Sequence, residues 1–160
     1  MNRHLIVGLV SLPTLTNAET PDDFTARGAY LATVMDCAGC HMPRGSDGMP
    51  LFHAGLSGGT VGFEIPGMGI FWAPNLTPAD TGLRSWTDAE IAVAITAGQH
   101  PDGRTLAPVM PWPAYSALTD EDVAALVAYL RSLPPVDSPR IDSVAGSAEA
   151  VAPYFSVVLP

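Results

Sequence analysis

Two cysteines and a histidine stand together in the segment Cys37-Ala38-Gly39-Cys40-His41. The spacing C-x-x-C-H is typical of the covalent attachment of a c-type haem. Two thiols at this spacing can add across the two vinyl groups of one porphyrin and leave two thioether bonds. The residue after the second cysteine then lies under the iron, where His41 can give an imidazole nitrogen as the proximal ligand. The segment therefore predicts one covalently attached haem c.

Other uses of this motif fit the rest of the sequence less well. Cys37 and Cys40 are the only cysteines among the 160 residues, so no disulfide framework competes for them. A redox-active C-x-x-C pair of the thioredoxin kind is expected in a β-α-β context, and no such pattern surrounds this pair. A zinc site would need two further ligands at finger-like spacing, which His53 and His100 do not provide.

The ligand on the opposite face of the iron decides between an electron carrier and a haem that binds ligands or performs catalysis. A methionine thioether would close that face, and the candidates are Met35, Met42, Met49, Met68 and Met110. The first two lie too close to the haem motif to reach the opposite face. The next two lie in a glycine-rich stretch.

Met110 lies in the segment 107–113, where three prolines stiffen a loop that can hold a weak ligand in place. We therefore predict Met110 as the second iron ligand, with Met68 as the next candidate. Ligation by His53 or His100 is the alternative, although both histidines fit polar surface turns better. The remaining methionines are interpreted as core filler.

Three segments carry helical patterns that would position these ligands. Residues 22–35 have an apolar stripe, and an aspartate at their start can cap the helix. Thr87 and Glu90 form a capping box that opens a second helix, which Gly98 ends. A third helix begins after Thr119, with acidic residues in its first turn, and ends before two prolines at 134–135.

The stretch 42–74 is rich in glycine and proline, which break every possible helix. A loop this long is uncommon in a compact domain unless it wraps something, and a haem would supply that object. A short β-ribbon around 60–65 is the one extended element that we expect. The sequence thus predicts an all-α fold, with three main helices around one covalently bound haem and long irregular loops.

The N-terminus has the pattern of a secretory signal peptide. A short basic start precedes an apolar run at 5–15, which is too short to span a bilayer, and small residues precede Glu19. An uncleaved N-terminal anchor is the alternative, and no later segment is expected to cross a membrane. We expect a signal peptide at 1–18, a monohaem domain at 19–135 and an extension at 136–160 that packs on the domain or on a partner. The protein would then be exported, in a bacterium to the periplasm.

The sequence is acidic, with sixteen Asp and Glu against seven basic residues and a formal net charge of −9. All seven basic residues are arginines. This balance argues against nucleic acid or an anionic membrane surface as a partner. It suits a redox partner with a basic docking face, or else it only keeps an exported protein soluble.

Several further segments resemble a known family. They are Ala73-Pro74-Asn75-Leu76-Thr77-Pro78, Trp86-Thr87-Asp88-Ala89-Glu90-Ile91, Asp102-Gly103-Arg104, Met110-Pro111-Trp112 and Leu118-Thr119-Asp120-Glu121-Asp122-Val123. Together with the haem motif, they resemble class I cytochrome c, in particular the haem domains of cytochrome subunits of periplasmic alcohol and gluconate dehydrogenases. Those subunits often carry three haem motifs, whereas this sequence contains one. The resemblance implies the class I cytochrome c fold.

The resemblance also implies a function. It implies a carrier of single electrons between redox proteins, such as a periplasmic dehydrogenase or oxidase, with Cys37, Cys40, His41 and Met110 as its haem c site. No residue stands out as a substrate-handling acid, base or nucleophile, so we expect an electron carrier and not an enzyme. Two alternatives stay open: a stable electron-transfer subunit of a dehydrogenase complex, and a five-coordinate haem that binds gas or performs catalysis.

Other residues have interpretations that depend on the pocket. The aromatic side chains expected as apolar pocket wall are Trp72, Trp86, Trp112 and Tyr115. Indole N–H groups and Arg104 can hold haem propionates, and Asn75 can bond within its loop or to a propionate. Gly28 costs its helix about 1 kcal/mol relative to alanine, which is explicable if another helix crosses there. The resemblance implies that the last helix does so.

Overall fold

The protein is described from a computed structural model, which covers residues 20–158. The predicted signal peptide, 1–18, lies outside the described residues. The helices are α1 Pro21–Val34, α2 Cys37–His41, α3 Asp88–Ala97, α4 Trp112–Tyr115 and α5 Asp120–Ser132. The strands are β1 Gly62–Ile65, β2 Gly69–Phe71 and β3 Tyr154–Phe155. The domain is thus mostly helical with long loops.

The first helix begins earlier than the sequence suggested. Its N-cap is Thr20 and not an aspartate, and the Thr20 hydroxyl accepts a hydrogen bond from the backbone N–H of Asp23 at 3.2 Å. The Asp23 carboxylate accepts in return from the backbone N–H of Thr20, which completes a capping box. Pro21 takes the first helical position, where its missing N–H costs nothing.

Helices α1 and α5 cross at Gly28, which is buried. A Cβ atom placed on Gly28 would lie 2.0 Å from the carbonyl oxygen of Ala125 and 2.7 Å from Cβ of Tyr129. The two backbones therefore approach as closely as only glycine allows, which explains the helix-breaking residue in α1. An ion pair between Arg27 and Asp122, at 2.8 Å, joins the same two helices.

The other two main helices follow their local signals. Thr87 and Glu90 form the predicted capping box at the start of α3, and Gly98 ends it in the left-handed region with φ of 63°. The Thr119 hydroxyl caps α5 by accepting from the backbone N–H of Asp122 at 3.1 Å.

The three strands form one small sheet in the order β2-β1-β3. Strands β1 and β2 are an antiparallel hairpin within the predicted irregular stretch, near the expected ribbon. Strand β3 comes from the C-terminal extension and pairs with β1 in parallel. The extension also forms a bridge between Val144 and Ile70. The sheet is thus an addition to the helical fold that the sequence predicts.

The hydrophobic core lies between the helices and the loop before α3. Its buried members are Leu31, Ala32, Leu56, Leu83, Ile91, Ile95, Leu126, Val127 and Leu130. Burial of apolar side chains of this size is the main favourable term for folding. Among residues 20–158, no helix has the length and apolar character needed to span a membrane.

Candidate functional site

The two cysteines and His41 share the short helix α2, which starts directly after α1. Asp36 caps α2 from the left-handed region, with φ of 54°, and its carboxylate accepts from the backbone N–H of Gly39 at 3.2 Å. A Cβ atom on Gly39 would lie 2.2 Å from an oxygen of that carboxylate. A side chain at this position of the motif would therefore displace the Asp36 carboxylate from its capping position. Because Cys37 and Cys40 are three positions apart on a helix, their side chains lie on one face.

His41 is buried, with 7% of its surface exposed, and within residues 20–158 its ring makes one hydrogen bond. Its Nδ1 lies 2.8 Å from the carbonyl oxygen of Pro74. Since a carbonyl can only accept, Nδ1 carries the proton and Nε2 keeps its lone pair. Burial lowers the pKa of the His41 imidazole, although the bond to Pro74 acts in the opposite sense. The ring is therefore neutral, as a metal ligand must be.

The second ring nitrogen of His41 is available for a ligand bond. Within the described part of the chain, Nε2 has no hydrogen-bond partner. A fixed imidazole whose second nitrogen has no protein partner is suited to bind iron.

The two thiols lie in an apolar setting. Burial raises the pKa of the Cys37 thiol to about 11, and burial also raises that of Cys40. The negative charge of Asp36 acts in the same direction on both. Redox-active cysteines of oxidoreductases have lowered pKa values instead. The thiol environment therefore disfavours the thioredoxin-like reading of the motif.

Met110 and the haem motif lie against the same hydrophobic core. Met110, Cys37 and Ala38 are all partly buried and packed against the core cluster. The backbone N–H of Met110 donates to the carbonyl of Ala107 at 3.1 Å, and that of Trp112 donates to the Met110 carbonyl at 2.8 Å. These bonds fix the methionine in a tight turn just before α4.

The other candidate ligands have different surroundings. Met49 and Met68 are 61% and 54% exposed, and His53 is exposed in a short 3₁₀ turn. His100 stacks edge-on against Trp86, with 4.8 Å between ring centroids, and its Nδ1 lies 2.8 Å from the Asp102 carboxylate. None of these four is presented to the core in the way that Met110 is.

Two tyrosines border the thiols. Burial raises the pKa of Tyr115 and of Tyr129, and the nearby Cys37 thiol adds to both rises. The Tyr115 hydroxyl donates to the backbone carbonyl of Met35 at 3.0 Å, which ties the loop after Met110 to the end of α1. Both rings also pack against the core cluster.

The polar groups that the sequence analysis considered as contacts for the haem propionates have hydrogen-bond partners within the protein. The Nε1–H group of Trp72 donates to the carbonyl of Pro153 at 3.1 Å, and that of Trp112 to the carbonyl of Leu106 at 3.3 Å. Arg104 pairs with Asp102 at 3.2 Å. The buried side chain of Asn75 forms hydrogen bonds within its own loop and with the C-terminal extension.

Sequence reasoning assigned no role to two residues that shape the site. Asp36 could have been found, because aspartate is a preferred N-cap and directly precedes the motif. Pro74 contributes a backbone carbonyl, which has no signature in the sequence. It lies in the segment that carries the family resemblance, but its position against His41 follows only from the tertiary structure.

Comparison with known proteins decides the family. The family model described as cytochrome c matches residues 25–134, which is more than half of the chain. The chain belongs to the cytochrome c family. The residues fit the haem c that this family binds, since two thiols on one helix face, a neutral imidazole with a free Nε2 and an apolar core meet at α2.

Similar proteins include cytochrome subunits of dehydrogenases. The chain is 41% identical over 130 residues to the fructose dehydrogenase cytochrome subunit of Gluconobacter japonicus, covering 79% of this chain and 24% of that protein. It is 34% identical over 141 residues to the gluconate 2-dehydrogenase cytochrome c subunit of Pantoea cypripedii, covering 87% and 30%. It is 36% identical over 127 residues to the cytochrome c subunit of the quinone alcohol dehydrogenase of Gluconacetobacter polyoxogenes, covering 76% and 25%. The chain thus spans a quarter to a third of these relatives.

Proposed function

We propose that this chain is a monohaem c-type cytochrome that carries single electrons between redox proteins in the periplasm. Cys37 and Cys40 would hold the haem through thioethers, and His41 and Met110 would ligate its iron. The bound haem supplies a ferrous/ferric couple. The observation that carries the proposal is the buried, neutral His41, whose Nδ1–H is bound to the Pro74 carbonyl and whose Nε2 is left for a ligand.

The residues around the haem have three tasks. The Pro74 carbonyl orients the His41 ring and raises its basicity as a ligand. The turn from Ala107 to Trp112 holds Met110 in place, which would limit the reorganisation of the site on electron transfer. The core cluster keeps water away from the site. No proton or bond transfer by the protein is required.

The choice of Met110 rests on its surroundings. It is partly buried against the core that the haem motif also contacts, whereas Met49 and Met68 are mostly exposed. An exposed thioether would leave the iron open to water. Met110 is therefore the methionine best placed to keep the iron six-coordinate.

The domain limits and the compartment belong to the same proposal. Residues 1–18 are the signal peptide, residues 19–135 are the haem domain, and residues 136–160 are the extension. Export rests on the signal-peptide pattern. The net charge of −9 favours partners with a basic docking face, so electron transfer should slow as ionic strength rises.

A second candidate is a stable subunit of a dehydrogenase complex. It is favoured by the similar proteins, which are cytochrome subunits of fructose, gluconate and alcohol dehydrogenases. Affinity purification of the exported protein distinguishes the two. A stoichiometric large oxidoreductase subunit supports the complex, and a monomeric haem protein supports the free carrier.

Absorption spectra test the ligand assignment. We expect the oxidised protein to be low-spin, with the weak far-red charge-transfer band of an iron–thioether bond, and the reduced protein to bind carbon monoxide poorly. Met110→Ala should lose that band and bind carbon monoxide. Met68→Ala is the matched control, since Met68 is 54% exposed, and it should leave the spectrum unchanged. If Met68→Ala loses the band and Met110→Ala keeps it, the assignment is wrong.

Mass spectrometry tests the attachment. The intact protein should carry the mass of one haem, and Cys37→Ser/Cys40→Ser should carry none. Haem retained through a covalent bond in the double variant would contradict the role of the two thiols. A five-coordinate spectrum of the unmodified protein would favour a gas-binding or catalytic haem instead.

A further inference from the structure

The C-terminal extension returns to the segment that supports His41. The segment 57–81, called here the proximal loop, contains Pro74 in its second half. Residues 136–155, called here the clamp, contact this loop at three places: at 136–138, at Val144 and at 153–155. The clamp begins beyond the region matched by the cytochrome c family model, which ends at residue 134.

The first contact holds the residue after Pro74. The carbonyl of Val136 accepts from the side-chain amide of Asn75 at 2.7 Å, and the backbone N–H of Val136 donates to the Thr77 hydroxyl at 3.2 Å. The side-chain oxygen Oδ1 of Asn75 accepts from the backbone N–H and the hydroxyl of Thr77, both at 2.8 Å. Asn75 and Thr77 are only 6% and 2% exposed, so water does not compete for these bonds.

The next contact extends the clamp along the loop. Ser138 donates through its hydroxyl to the carbonyl of Ser57, and through its backbone N–H to the Thr81 hydroxyl at 3.0 Å. Val144 exchanges two backbone hydrogen bonds with Ile70, at 2.9 and 3.1 Å. Because Ile70 is fully buried, this pairing fixes the clamp against the interior of the domain.

The third contact holds the residues before Pro74. The carbonyl of Pro153 accepts from the backbone N–H of Gly62 at 2.8 Å and from the indole N–H of Trp72 at 3.1 Å. Trp72 is 7% exposed. Strand β3 then pairs with β1, and the rings of Phe155 and Phe63 lie 5.6 Å apart.

These contacts bracket Pro74. Trp72, two positions before it, and Asn75, directly after it, are both buried and both bound to the clamp. The Pro74 carbonyl lies in the peptide plane that it shares with Asn75, so the position of Asn75 constrains its direction. The loop also has internal support, from the backbone bond of Gly59 to the Ala73 carbonyl at 2.9 Å.

We infer that the clamp is a positioning device for the proximal ligand, in that it holds the Pro74 carbonyl where it accepts from His41. This inference rests on the proposed haem ligation by His41. A histidine that donates its second N–H to a fixed carbonyl is a more basic ligand, and a more basic ligand favours the ferric state. Loosening the clamp therefore raises the reduction potential without removing either axial ligand.

Two variants of the haem-loaded protein test this. One ends after Pro135 and so lacks the clamp. The other, Trp72→Phe/Ser138→Ala, keeps the whole chain and removes two side-chain bonds between clamp and loop. The matched control, Ser132→Ala/Arg140→Ala, also removes two side-chain bonds, to Tyr129 and to Asp142, and neither reaches the proximal loop.

The readouts are the reduction potential and the amide hydrogen exchange of the loop. We expect both clamp variants to raise the potential and to exchange the amides of 57–81 about tenfold faster, while the control matches the parent. A parental potential in a variant whose loop exchanges faster overturns the inference, since the clamp would then be only structural. Parental values of both quantities overturn it as well. If the shortened chain does not fold, the double variant decides by the same criteria.

Failure of the proposed function has a different signature. In that case the parent carries no covalent haem, or His41→Ala leaves the spectrum of the bound haem unchanged. Failure of the inference appears only when His41 ligation is intact and the clamp variants have the parental potential. The hydrogen exchange of the loop is also measured independently of any redox activity.

Discussion

Substituting Gly28 with alanine tests the packing on which the haem motif depends. The added Cβ atom would lie 2.0 Å from the Ala125 carbonyl oxygen, and real Cβ atoms do not approach closer than 3.0 Å. The obstruction is backbone, so no side-chain rotation relieves it. Helices α1 and α5 must therefore separate by about 1 Å, which loosens contacts along their interface.

The net effect is the difference of two opposing terms. Overpacking of this kind costs up to about 3 kcal/mol, and replacing glycine by alanine inside a helix returns about 1 kcal/mol. We therefore expect Gly28→Ala to lower the free energy of unfolding by about 2 kcal/mol. For a domain of this size the midpoint of thermal unfolding should fall by roughly 6 °C.

Thermal unfolding followed by circular dichroism of the haem-loaded protein measures this change. Gly146→Ala is the control, because a Cβ atom on Gly146 meets nothing within 4 Å and the residue has an extended backbone. The control should be neutral or stabilised by less than about 1 kcal/mol. A Gly28→Ala protein as stable as the parent, or more stable, would refute the close crossing of α1 and α5.

Three further substitutions test the helices. Asp122→Asn removes the ion pair with Arg27, and the hydrogen bond from Arg27 holds the pKa of Asp122 below its usual 3.8. The stabilisation from this pair is present above pH 3.8 and is lost as the pH falls. Urea denaturation should therefore show a lower free energy of unfolding for the variant than for the parent at pH 7, and this difference should disappear in acid. The backbone N–H of Thr87, and to a smaller extent its hydroxyl, hold the pKa of the Glu90 carboxylate below 4.5. Thr87→Ala should cost about 1 kcal/mol in urea denaturation, and an NMR titration should show a rise in the Glu90 pKa, because the hydroxyl no longer donates to that carboxylate. Arg131→Met removes hydrogen bonds to the backbone carbonyls of Leu83 and Trp86 and to the Asp88 carboxylate, and should cost about 3 kcal/mol in urea denaturation. A variant with the unfolding free energy of the parent at pH 7 would contradict the corresponding contact.

The helix ends show which part of the fold could be predicted from the sequence. The capping box of Thr87 and Glu90 and the stop at Gly98 involve residues within one or two turns, so the sequence alone located α3. The same reasoning missed Thr20 as the cap of α1, because Asp22 and Asp23 are acceptable caps in isolation. Which of several neighbouring residues becomes the N-cap depends on the backbone conformation around them.

The small sheet shows where sequence reasoning stopped. A ribbon around 60–65 was predictable from extended residues between glycines, and it corresponds to β1. The two-residue strand Tyr154–Phe155 is too short to have a pattern of its own. Its pairing with β1 follows from the path of the extension across the domain, which depends on contacts between distant parts of the chain.

The sequence by itself determined the chemistry of this protein and most of its helices. The motif from Cys37 to His41 predicts covalent haem attachment through residue types at a fixed local spacing, and capping and periodicity act over the same short range. Only the tertiary structure decided what holds the site in place: the Pro74 carbonyl against His41, the approach of Ala125 to Gly28 and the clamp over the proximal loop. These contacts depend on backbone groups that every residue carries, so no pattern of side chains in the sequence predicts them.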